Sequence, residues 1–541
     1  MTALLYFHTI RHLRIGQIFW RIRFRLHRPK PDLRKPPLCR ESTVLWVSPC
    51  EHSQSMVGED TFMFLNQTRQ VVNNAAWNDP SVEKLWLYNL HYFDDLNAVG
   101  AVSRRAWHQR LIERWIDENP PGYGNGWEPY PLSLRIVNWI KWSLGGGVLS
   151  LRAIASLAIQ TRFLCERLEF HLLGNHLLAN AKALIFAGAF FKDEEAEEWL
   201  AKGSKILGSQ LHEQILEDGG HFERSPMYHA IILEDLLDIE NLTKAYGLGA
   251  IIKVEMVAKM RNWLTAMCHP DCEIAFFNDA AFGVAKSLSE LNEYSERLKH
   301  AVQNASTDGV LRMAESGYIR LQRGGAVLIV DAAPIGPSYL PGHGHADALS
   351  FELALFGQRV MVNSGTSCYG HSLERQRQRG TAAHNTLVID GQDSSEVWAG
   401  FRVARRAQVH SLAVSEKAGV THVDASHDGY RRLAGSNLHR RSWQVADESL
   451  LIEDEITGVF KRAEIRFHLH PSITVLEASD SQASLQLTDG KLVTVAFDGA
   501  NLFVEQTSWH PYFGVAIPSL VLVAALTASK VRSFIKWGEN V

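Results

Sequence analysis

The chain has 541 residues, which is too long for one hydrophobic core and predicts two large domains or three smaller ones. Hydrophobic residues make up 46% and charged residues 21%, an ordinary balance for a globular protein. The formal net charge of −4 argues against a general polyanion or nucleic-acid binder, although a local basic patch is compatible with it.

Six cysteines are spread along the chain and show no spacing typical of a metal site. In a chain of this size they are predicted to be free thiols and not a disulfide framework. They are Cys39, Cys50, Cys165, Cys268, Cys272 and Cys368.

Residues 1–84 form an N-terminal region with two parts. The opening stretch, MTALLYFHTIRHLRIGQIFWRIRFRLHR, mixes arginines with apolar residues and lacks the layout of a secretion signal. It predicts a basic amphipathic helix, which either packs on the domain or lies on a membrane surface. Residues 30–60 are rich in Pro, Ser and charge and predict a linker or a wrapped loop. Without a secretion signal or an apolar run long enough to cross a bilayer, the sequence favours a cytoplasmic protein.

Residues 85–310 are predicted to be mainly helical. Between about 150 and 305, apolar residues recur at helical spacing and strand signals are scarce. Successive helices with short connections predict hairpins wound into a solenoid or toroid. Near the start of this region, Trp127, Tyr130 and Arg135 surround a helix start, where they could hold a sugar or seal a core.

Two breaks between the predicted helices carry polar residues. In FHLLGNHLLANAKAL, Asn175 and His176 follow a glycine and precede an apolar helix, so Asn175 could also be a helix cap. In EDGGHFERSPMYHAIIL, a Gly-Gly break and a Ser-Pro start precede Tyr228, with Glu223 just upstream. Both breaks are predicted at helix ends, where the cleft of a toroid opens.

From about Ser316 the pattern changes to strands of four to eight residues. This spacing predicts an antiparallel β-sandwich over residues 311–541, with Asp489-Gly490 marking a tight hairpin. The apolar run Gly514 to Ala528 is predicted to form late strands.

The stretch from Tyr339 to Asp390 gathers three histidines, His343, His345 and His384. If the backbone is extended there, His343 and His345 point the same way. A single histidine beside a strand is usually a hydrogen-bonded structural residue, but three together at the mouth of a strand favour a metal site or a reacting group.

A basic segment, ERQRQRG, follows within the same stretch. Arg375, Arg377 and Arg379 alternate, so they share one face if the segment is extended. Together with the following Arg402, Arg405 and Arg406, they are expected to form either a solvated charged face or a basic rim for an acidic polymer.

The ordered motifs HLLGNHLLANAKAL, GGHFERSPMYH, GHGHADALSFEL, VNSGT and RGTAAHNTLVIDG resemble the heparinase II/III-type polysaccharide lyases, which include some alginate lyases. The resemblance covers about residues 85–540. It implies an α+β multidomain chain in which an incomplete α/α toroid precedes an antiparallel β-sandwich. It further implies β-elimination on a uronic-acid polysaccharide, such as a bacterial exopolysaccharide or glycosaminoglycan-like polymer, and a location in the periplasm or cell envelope.

The resemblance also implies roles for single residues. Asn175 matches the asparagine that neutralises the uronate carboxylate, and His176 matches its neighbouring histidine. Tyr228 matches the tyrosine that serves as acid, or as acid and base. His343 matches the histidine of the sheet domain that faces the cleft. The residues expected to contact substrate are Trp127, Tyr130, Arg135, Glu223, Arg375 and Arg379.

A metal site is implied for several members of the family, held here by His345, Asn363 and His384. The family usually has an aspartate where this chain has Asn363. An amide in place of a carboxylate removes a charged ligand, which weakens the case for bound Zn²⁺ or Ca²⁺. His384 is then expected to be a catalytic or orienting residue.

Elimination removes the C5 proton of a uronate and expels the oxygen at C4. Asn175 and a histidine are expected to hold the charge that builds on the carboxylate in the transition state. A base must reach C5 and an acid must reach the leaving oxygen. If both leave from one face of the sugar, Tyr228 could do both; if they leave from opposite faces, a histidine is the base.

Three other functions fit parts of the sequence. His345, Asp347 and His384 could form the iron triad of an oxygenase. Carboxylates of a glycoside hydrolase could come from Glu128, Glu223 and Asp279. A non-catalytic polysaccharide-binding protein of envelope polymer assembly would account for the absence of a secretion signal.

Overall fold

The structure is a computed structural model that describes residues 2–301 and 308–538. Its helices lie almost entirely in the first part of the chain. They are α1 (Thr2–Ile10), α2 (Ile15–Leu26), α3 (Lys84–Tyr92), α4 (Arg105–Glu118), α5 (Pro129–Leu144), α6 (Leu151–Glu166), α7 (Gly174–Phe190), α8 (Glu194–Gln214), α9 (Pro226–Ala245), α10 (Val254–Ala266), α11 (Leu288–Arg297) and α12 (Leu373–Arg379).

The strands lie mainly in the second part. They are β1 (Leu38–Cys39), β2 (Met56–Gly58), β3 (Thr61–Phe64), β4 (Gln67–Gln70), β5 (Phe191–Lys192), β6 (Gly309–Met313), β7 (Tyr318–Arg323), β8 (Ala326–Asp331), β9 (Phe351–Leu355), β10 (Gln358–Met361), β11 (Leu387–Ile389), β12 (Val397–Trp398), β13 (Arg402–Val403), β14 (Val409–Lys417), β15 (Val420–His427), β16 (Leu438–Val445), β17 (Ser449–Thr457), β18 (Ala463–His468), β19 (Thr474–Ala478), β20 (Gln482–Gln486), β21 (Leu492–Asp498), β22 (Ala500–Trp509), β23 (Ile517–Leu526) and β24 (Lys530–Trp537).

The helical domain is an incomplete toroid of inner and outer helices. The inner helices α3, α5, α7 and α9 contact one another in chain order, and α4, α6, α8 and α10 pack outside them. Helix α7 carries small and apolar residues on most of its surface and is almost completely buried, as expected for a central helix. Gly188 lets α8 approach closely, because a Cβ there would lie 2.5 Å from the backbone nitrogen of Leu200.

Residues 30–84 pack on the helical domain, so of the two alternatives predicted for residues 30–60 the wrapped loop describes them and the linker does not. Strand β1 pairs with β5, and β2, β3 and β4 form a small sheet. Trp46, Met56 and Trp77 are buried in the same core as the toroid helices. These apolar side chains fix the segment against the helices.

The first 26 residues form two short helices and not one. Helix α1 contacts the sandwich, where the Trp398 Nε1–H donates to the Thr9 hydroxyl at 3.1 Å. Helix α2 contacts the toroid, where the Trp20 ring stacks on Phe170 at 4.8 Å. The pair therefore bridges the two domains. None of the described helices combines the length and hydrophobicity needed to span a bilayer.

Three antiparallel sheets make up most of the sandwich domain. The orders are β10-β9-β8-β7-β6, β11-β18-β23-β22 and β14-β15-β16-β17-β24-β21-β20-β19. In the first sheet, alternate residues face opposite sides. Leu328 and Val330 enter the sandwich core, whereas Val327 and Ile329 pack against Trp263 of the helical domain.

These elements confirm the predicted architecture of a helical toroid followed by an antiparallel sandwich. The last toroid helix ends at Arg297 and the first sandwich strand begins at Gly309. All six cysteines are free thiols, as predicted.

Candidate active site

A cavity of about 1560 Å³ lies between the toroid and the loops of the sandwich. The inner faces of α3, α5, α7 and α9 form its wall, and residues of α1 and α2 line one rim. Tyr130, Asn175 and Tyr228, each in the first turn of its helix, meet at this cavity. The sandwich contributes His343 and Tyr369.

Tyr228 is held by the start of α9. Ser225 caps the helix, since its hydroxyl accepts from the Tyr228 backbone N–H at 3.1 Å. The Tyr228 hydroxyl shares a 2.9 Å hydrogen bond with the hydroxyl of Tyr369. Burial, followed by the neighbouring Tyr369, raises the pKa of Tyr228 well above its usual value. The phenol is therefore protonated at neutral pH and can donate a proton.

His343 lies directly against Tyr228. The two rings stack with centroids 3.9 Å apart and an angle of 11° between their planes. The His343 Nδ1 is 2.5 Å from the Glu223 carboxylate, which is 3% exposed. Burial raises the pKa of Glu223, but the charge and hydrogen bond of His343 outweigh burial and lower it. In the neutral form of His343 this carboxylate keeps the proton on Nδ1, and Nε2 then carries the free lone pair.

Asn175 and His176 begin helix α7. The Asn175 amide lines the cavity and makes no side-chain hydrogen bond to any described residue. The chain reaches this start through Leu173 at φ +64° and Gly174 at φ +55°. A Cβ on Gly174 would lie 2.4 Å from the Leu340 side chain, so glycine is required there.

His176 is oriented from below by Glu169, whose carboxylate is 3.2 Å from Nδ1. Burial lowers the pKa of His176, but the charge of Glu169 and its hydrogen bond outweigh burial and raise it. The ring also packs against Tyr130, with centroids 4.6 Å apart. Asn175 and His176 thus present a free amide and an imidazole that favours its cationic form.

A buried ionic network lies behind the cavity. Asp279, which is fully buried, pairs with Arg375 and accepts from His345 Nε2 at 2.8 Å. Its backbone N–H donates to the His343 carbonyl at 2.9 Å, and its carbonyl accepts from the Ser225 hydroxyl at 2.5 Å. Asp279 therefore ties together the segments that carry His343 and Tyr228.

Arg375 and Arg379 do not form the predicted basic rim. Their segment is the helix α12 and not an extended strand, and both side chains are fully buried. Arg375 pairs with Asp279, and Arg379 donates to the carbonyls of Gly344 and Gly400. Positions i and i+4 share a helix face, so the spacing places both on the buried side.

Other arginines face the cavity. Arg402 and Arg406 of the sandwich and Arg21 of α2 line it. Arg402 and Arg406 follow the segment of Arg375 and Arg379 in the sequence, and Arg21 belongs to the N-terminal region. Of the arginines predicted for the basic rim, Arg402 and Arg406 therefore line the cavity, whereas Arg375 and Arg379 do not.

The side chains of His343 and His345 do not point the same way. The segment turns at residues 342–343 and is not extended there. His343 faces the cavity, whereas His345 turns inwards to Asp279 and to His384, whose Nε2 lies 3.1 Å from His345 Nδ1. His384 is 1% exposed, and burial lowers its pKa to about 4. His384 is thus a buried neutral imidazole that does not face the cavity. The prediction that it is a catalytic residue is wrong.

His345 and His384 lie side by side, and the amide of Asn363, the third predicted ligand, is bonded to backbone groups. The Asn363 amide donates to the Phe276 carbonyl at 2.9 Å and accepts from the Asn385 N–H at 3.1 Å. The outer nitrogens of the two histidines are bonded to Asp279 and to the Gly380 carbonyl, and their inner nitrogens, His345 Nδ1 and His384 Nε2, face each other at 3.1 Å. A metal at this place stays a prediction. Among the described residues, no group of three or more His, Cys, Asp or Glu has metal-binding geometry. Structural Zn²⁺ needs four ligands and Ca²⁺ needs six or more oxygens.

Trp127 and Arg135 are packing residues, which corrects their predicted contact with substrate. Trp127 is 4% exposed and packs against Trp115 and Phe163. Arg135 is fully buried, and its guanidinium stacks on Trp115 at 3.8 Å while donating to backbone carbonyls. Trp127 precedes α5 and Arg135 lies on it, and neither side chain lines the cavity.

The carboxylates considered for a hydrolase are not opposed across the cleft. Glu223 lines the cavity, but Asp279 is paired with Arg375 behind it. Glu128 is bonded to Lys84 and Tyr88. The two-carboxylate arrangement of a glycosidase is therefore not formed by this set.

Sequence reasoning missed Tyr369 and Glu169, which orient Tyr228 and His176. Tyr369 follows the VNSGT motif by three residues, and Glu169 precedes Asn175 by six. Their closeness to these motifs in the sequence is the one feature that could have indicated a role in the site. Tyr369 lies 141 residues from Tyr228, so the sequence gives no sign of their contact.

Two sequence-family models match the chain. The model described as Heparinase II/III N-terminus matches residues 151–304, and the one described as Heparinase II/III-like, C-terminal matches residues 306–537. This chain belongs to the heparinase II/III family. The predicted resemblance is thereby confirmed.

Individual curated relatives have low sequence identity to this chain. The chain is 24% identical to a heparin-sulfate lyase of Bacteroides stercoris over 61% of this chain and 50% of that protein. It is 26% identical to FtsZ-localized protein C of Caulobacter vibrioides over 80% of this chain and 78% of that protein. It spans about half the length of the former.

Solved structures show the same fold. A crystal structure of heparinase III matches with a TM-score of 0.68 at 18% identity, covering 88% of this chain and 80% of that one. A Streptomyces coelicolor chondroitin AC lyase matches with a TM-score of 0.55 at 11% identity over 84% and 75%. At these identities the likeness establishes the fold alone.

Proposed function

We propose that this protein is a polysaccharide lyase that cleaves a uronic-acid polymer by β-elimination. The observation that carries the proposal is the stacked Tyr228–His343 pair beside the unbonded amide of Asn175, all lining one cavity. An acid, a base and a carboxylate-binding group are the parts that the reaction needs. Similarity to heparin-sulfate lyases of Bacteroides supports a glycosaminoglycan-like polymer.

The uronate carboxylate binds at Asn175 and His176 in this proposal. Removal of the C5 proton shifts negative charge onto the carboxylate, and hydrogen-bond donors fixed beside it stabilise that charge. The Asn175 amide is free to donate, and Glu169 raises the pKa of His176 so that its cationic form is favoured. Arg402 and Arg406 attract the polymer to the cavity.

His343 is the base and Tyr228 is the acid. Glu223 holds the Nδ1 side of His343, which leaves the Nε2 lone pair to take the C5 proton. The high pKa of Tyr228 keeps its hydroxyl protonated, so it can deliver a proton to the C4 oxygen as that bond breaks. The products are a new reducing end and a sugar with a double bond between C4 and C5.

The geometry of the pair bears on the substrate. Because the two rings stack face to face at 3.9 Å, both groups approach the sugar from one side. The C5 proton and the C4 oxygen then leave from the same face. They lie on the same face in 4-linked glucuronate and on opposite faces in iduronate, so we propose a glucuronate-type polymer.

The test is an assay of purified protein on heparan sulfate, chondroitin sulfate, alginate, xanthan and other acidic polysaccharides. Ultraviolet absorbance follows the C4–C5 double bond, and a parallel assay follows reducing ends. A rise in both that is lost in Asn175→Ala is the expected result, with Asn119→Ala assayed beside it to show the effect of removing a buried amide that does not line the cavity. Reducing ends without absorbance would favour a hydrolase. Polymer binding with neither signal would favour a binding protein.

A further inference from the structure

One side of helix α2 packs against the rest of the protein. Toward the body of the protein, Gln17 is buried and Trp20 stacks on Phe170. Phe24 packs on His171 with ring centroids 4.2 Å apart. Gln17, Trp20 and Phe24 recur at helical spacing, so they form one inner face of α2.

The opposite side of α2 is also apolar, but it has no partner among the described residues. Ile15, Ile18, Phe19, Ile22 and Leu26 stand at positions i, i+3, i+4, i+7 and i+11 and so share a helix face. Their exposed fractions are 87%, 41%, 60%, 55% and 78%. We call these five side chains the outer stripe. Exposed apolar residues are ordinary when scattered, but a continuous stripe marks an interaction site.

Helix α1 also carries exposed apolar side chains, of which Leu4 and Phe7 are the most exposed. Leu4 is 51% exposed and Phe7 is 62% exposed. Both belong to the same thirty-residue segment as the outer stripe. The apolar surface is therefore spread over both helices.

Positive charge surrounds the outer stripe. The first thirty residues contain six arginines and one lysine but no aspartate or glutamate, although the whole chain carries a net charge of −4. Arg23, Arg25 and Arg28 are exposed and make no ion pair with any described residue. Arg14 is paired, with Glu213. The segment is thus a concentrated cationic and apolar surface on an otherwise acidic protein.

We propose that the outer stripe docks onto an anionic lipid surface. Apolar and aromatic side chains of a short amphipathic helix enter the boundary between head groups and acyl chains, and arginines pair with lipid phosphates. A polysaccharide would satisfy the arginines but leave the apolar stripe in water. A second copy of the chain would bring like charges together across a symmetric interface. A lipid surface satisfies both features.

Docking would also set the position of the cavity. Tyr6, Thr9, Leu13 and Gln17, on the other side of these helices, line its rim. The opening therefore lies next to the bilayer when the outer stripe is inserted. The proposal does not depend on the proposed lyase activity, because it uses none of the residues of the reaction.

The experiment is co-sedimentation of the full-length protein with vesicles of phosphatidylcholine alone or with phosphatidylglycerol as roughly a third of the lipid. A stripe variant (Ile15→Ser, Phe19→Ser, Ile22→Ser) and a charge variant (Arg23→Gln, Arg25→Gln, Arg28→Gln) are compared with the wild type. The matched control, Val148→Ser with Leu151→Ser, removes exposed apolar groups from the toroid. These side chains are exposed, so circular dichroism and thermal midpoints should match.

We expect the wild type and the control to bind the anionic vesicles, and the stripe and charge variants to bind on the order of 10- to 100-fold less. Binding should also weaken as salt rises. Failure of the wild type to bind, or equal binding by the stripe variant, would overturn the proposal. So would a wild-type dimer in light scattering that becomes monomeric in the stripe variant, since the stripe would then be a contact between copies.

Discussion

Replacing Tyr228 by Phe separates its chemical role from its structural one. The change removes one hydroxyl and its 2.9 Å bond to Tyr369, while the ring remains to stack on His343. The loss of one hydrogen bond between neutral groups costs about 0.5–1.5 kcal/mol of stability. Loss of a general acid lowers the rate by about 10²–10⁴, or roughly 2.7–5.4 kcal/mol of transition-state stabilisation. The kinetic effect should therefore exceed the effect on stability.

Tyr369→Phe is the matched control because it breaks the same hydrogen bond from the other side. Both variants should lose similar amounts of stability in urea unfolding. Only Tyr228→Phe should lose most of its kcat in the ultraviolet absorbance assay, whereas Tyr369→Phe should lose less than about tenfold. Equal losses of kcat in the two variants would refute the assignment of Tyr228 as the acid. A larger loss in Tyr369→Phe would transfer that role to Tyr369.

Three further predictions concern the groups around this pair. Glu223→Gln keeps the shape of the side chain but removes the charge that fixes His343, so kcat should fall by about 10²–10⁴, and unchanged kcat would contradict the role of His343 as base. Burial raises the pKa of Asp279, but Arg375 and His345 lower it by more than burial raises it. The pKa of Asp279 is therefore well below its usual value. Its stabilising effect is thus present above about pH 4, the unfolded pKa, and is lost as pH falls below it. Asp279→Asn should lose about 3–5 kcal/mol at neutral pH and show a flatter acid-unfolding profile, and a profile like the wild type's would count against the network. Treatment with a chelator should leave the lyase rate unchanged; a loss that added Zn²⁺ or Ca²⁺ restores would reinstate the metal site.

The fold and part of the site have local signals in the sequence. Asn175 and Tyr228 each follow a helix start that a glycine or a Ser-Pro pair marks, so their position at a helix end could be predicted. The change from helical to strand periodicity near Ser316 is likewise local. Such features depend on neighbours along the chain.

The environment of the charged residues could not be predicted in the same way. Arg375 is buried because it pairs with Asp279, which lies 96 residues away. An arginine without that partner would belong at the surface, so its sequence neighbours alone indicate a basic rim. The alternation of Arg375 and Arg379 is equally compatible with a strand and, at i and i+4, with the helix that the structure has. Glu223 and His343 are separated by 120 residues, and their contact also depends on the tertiary fold.

The most direct test of the central claim is mass spectrometry of the oligosaccharides released from a glucuronate-containing polymer. Elimination leaves a new non-reducing end that is lighter by one water than the end left by hydrolysis. The account predicts this lighter product from the wild type and its near absence from Tyr228→Phe at equal protein concentration. Release of the heavier, hydrated product, or unchanged release by the variant, would contradict it.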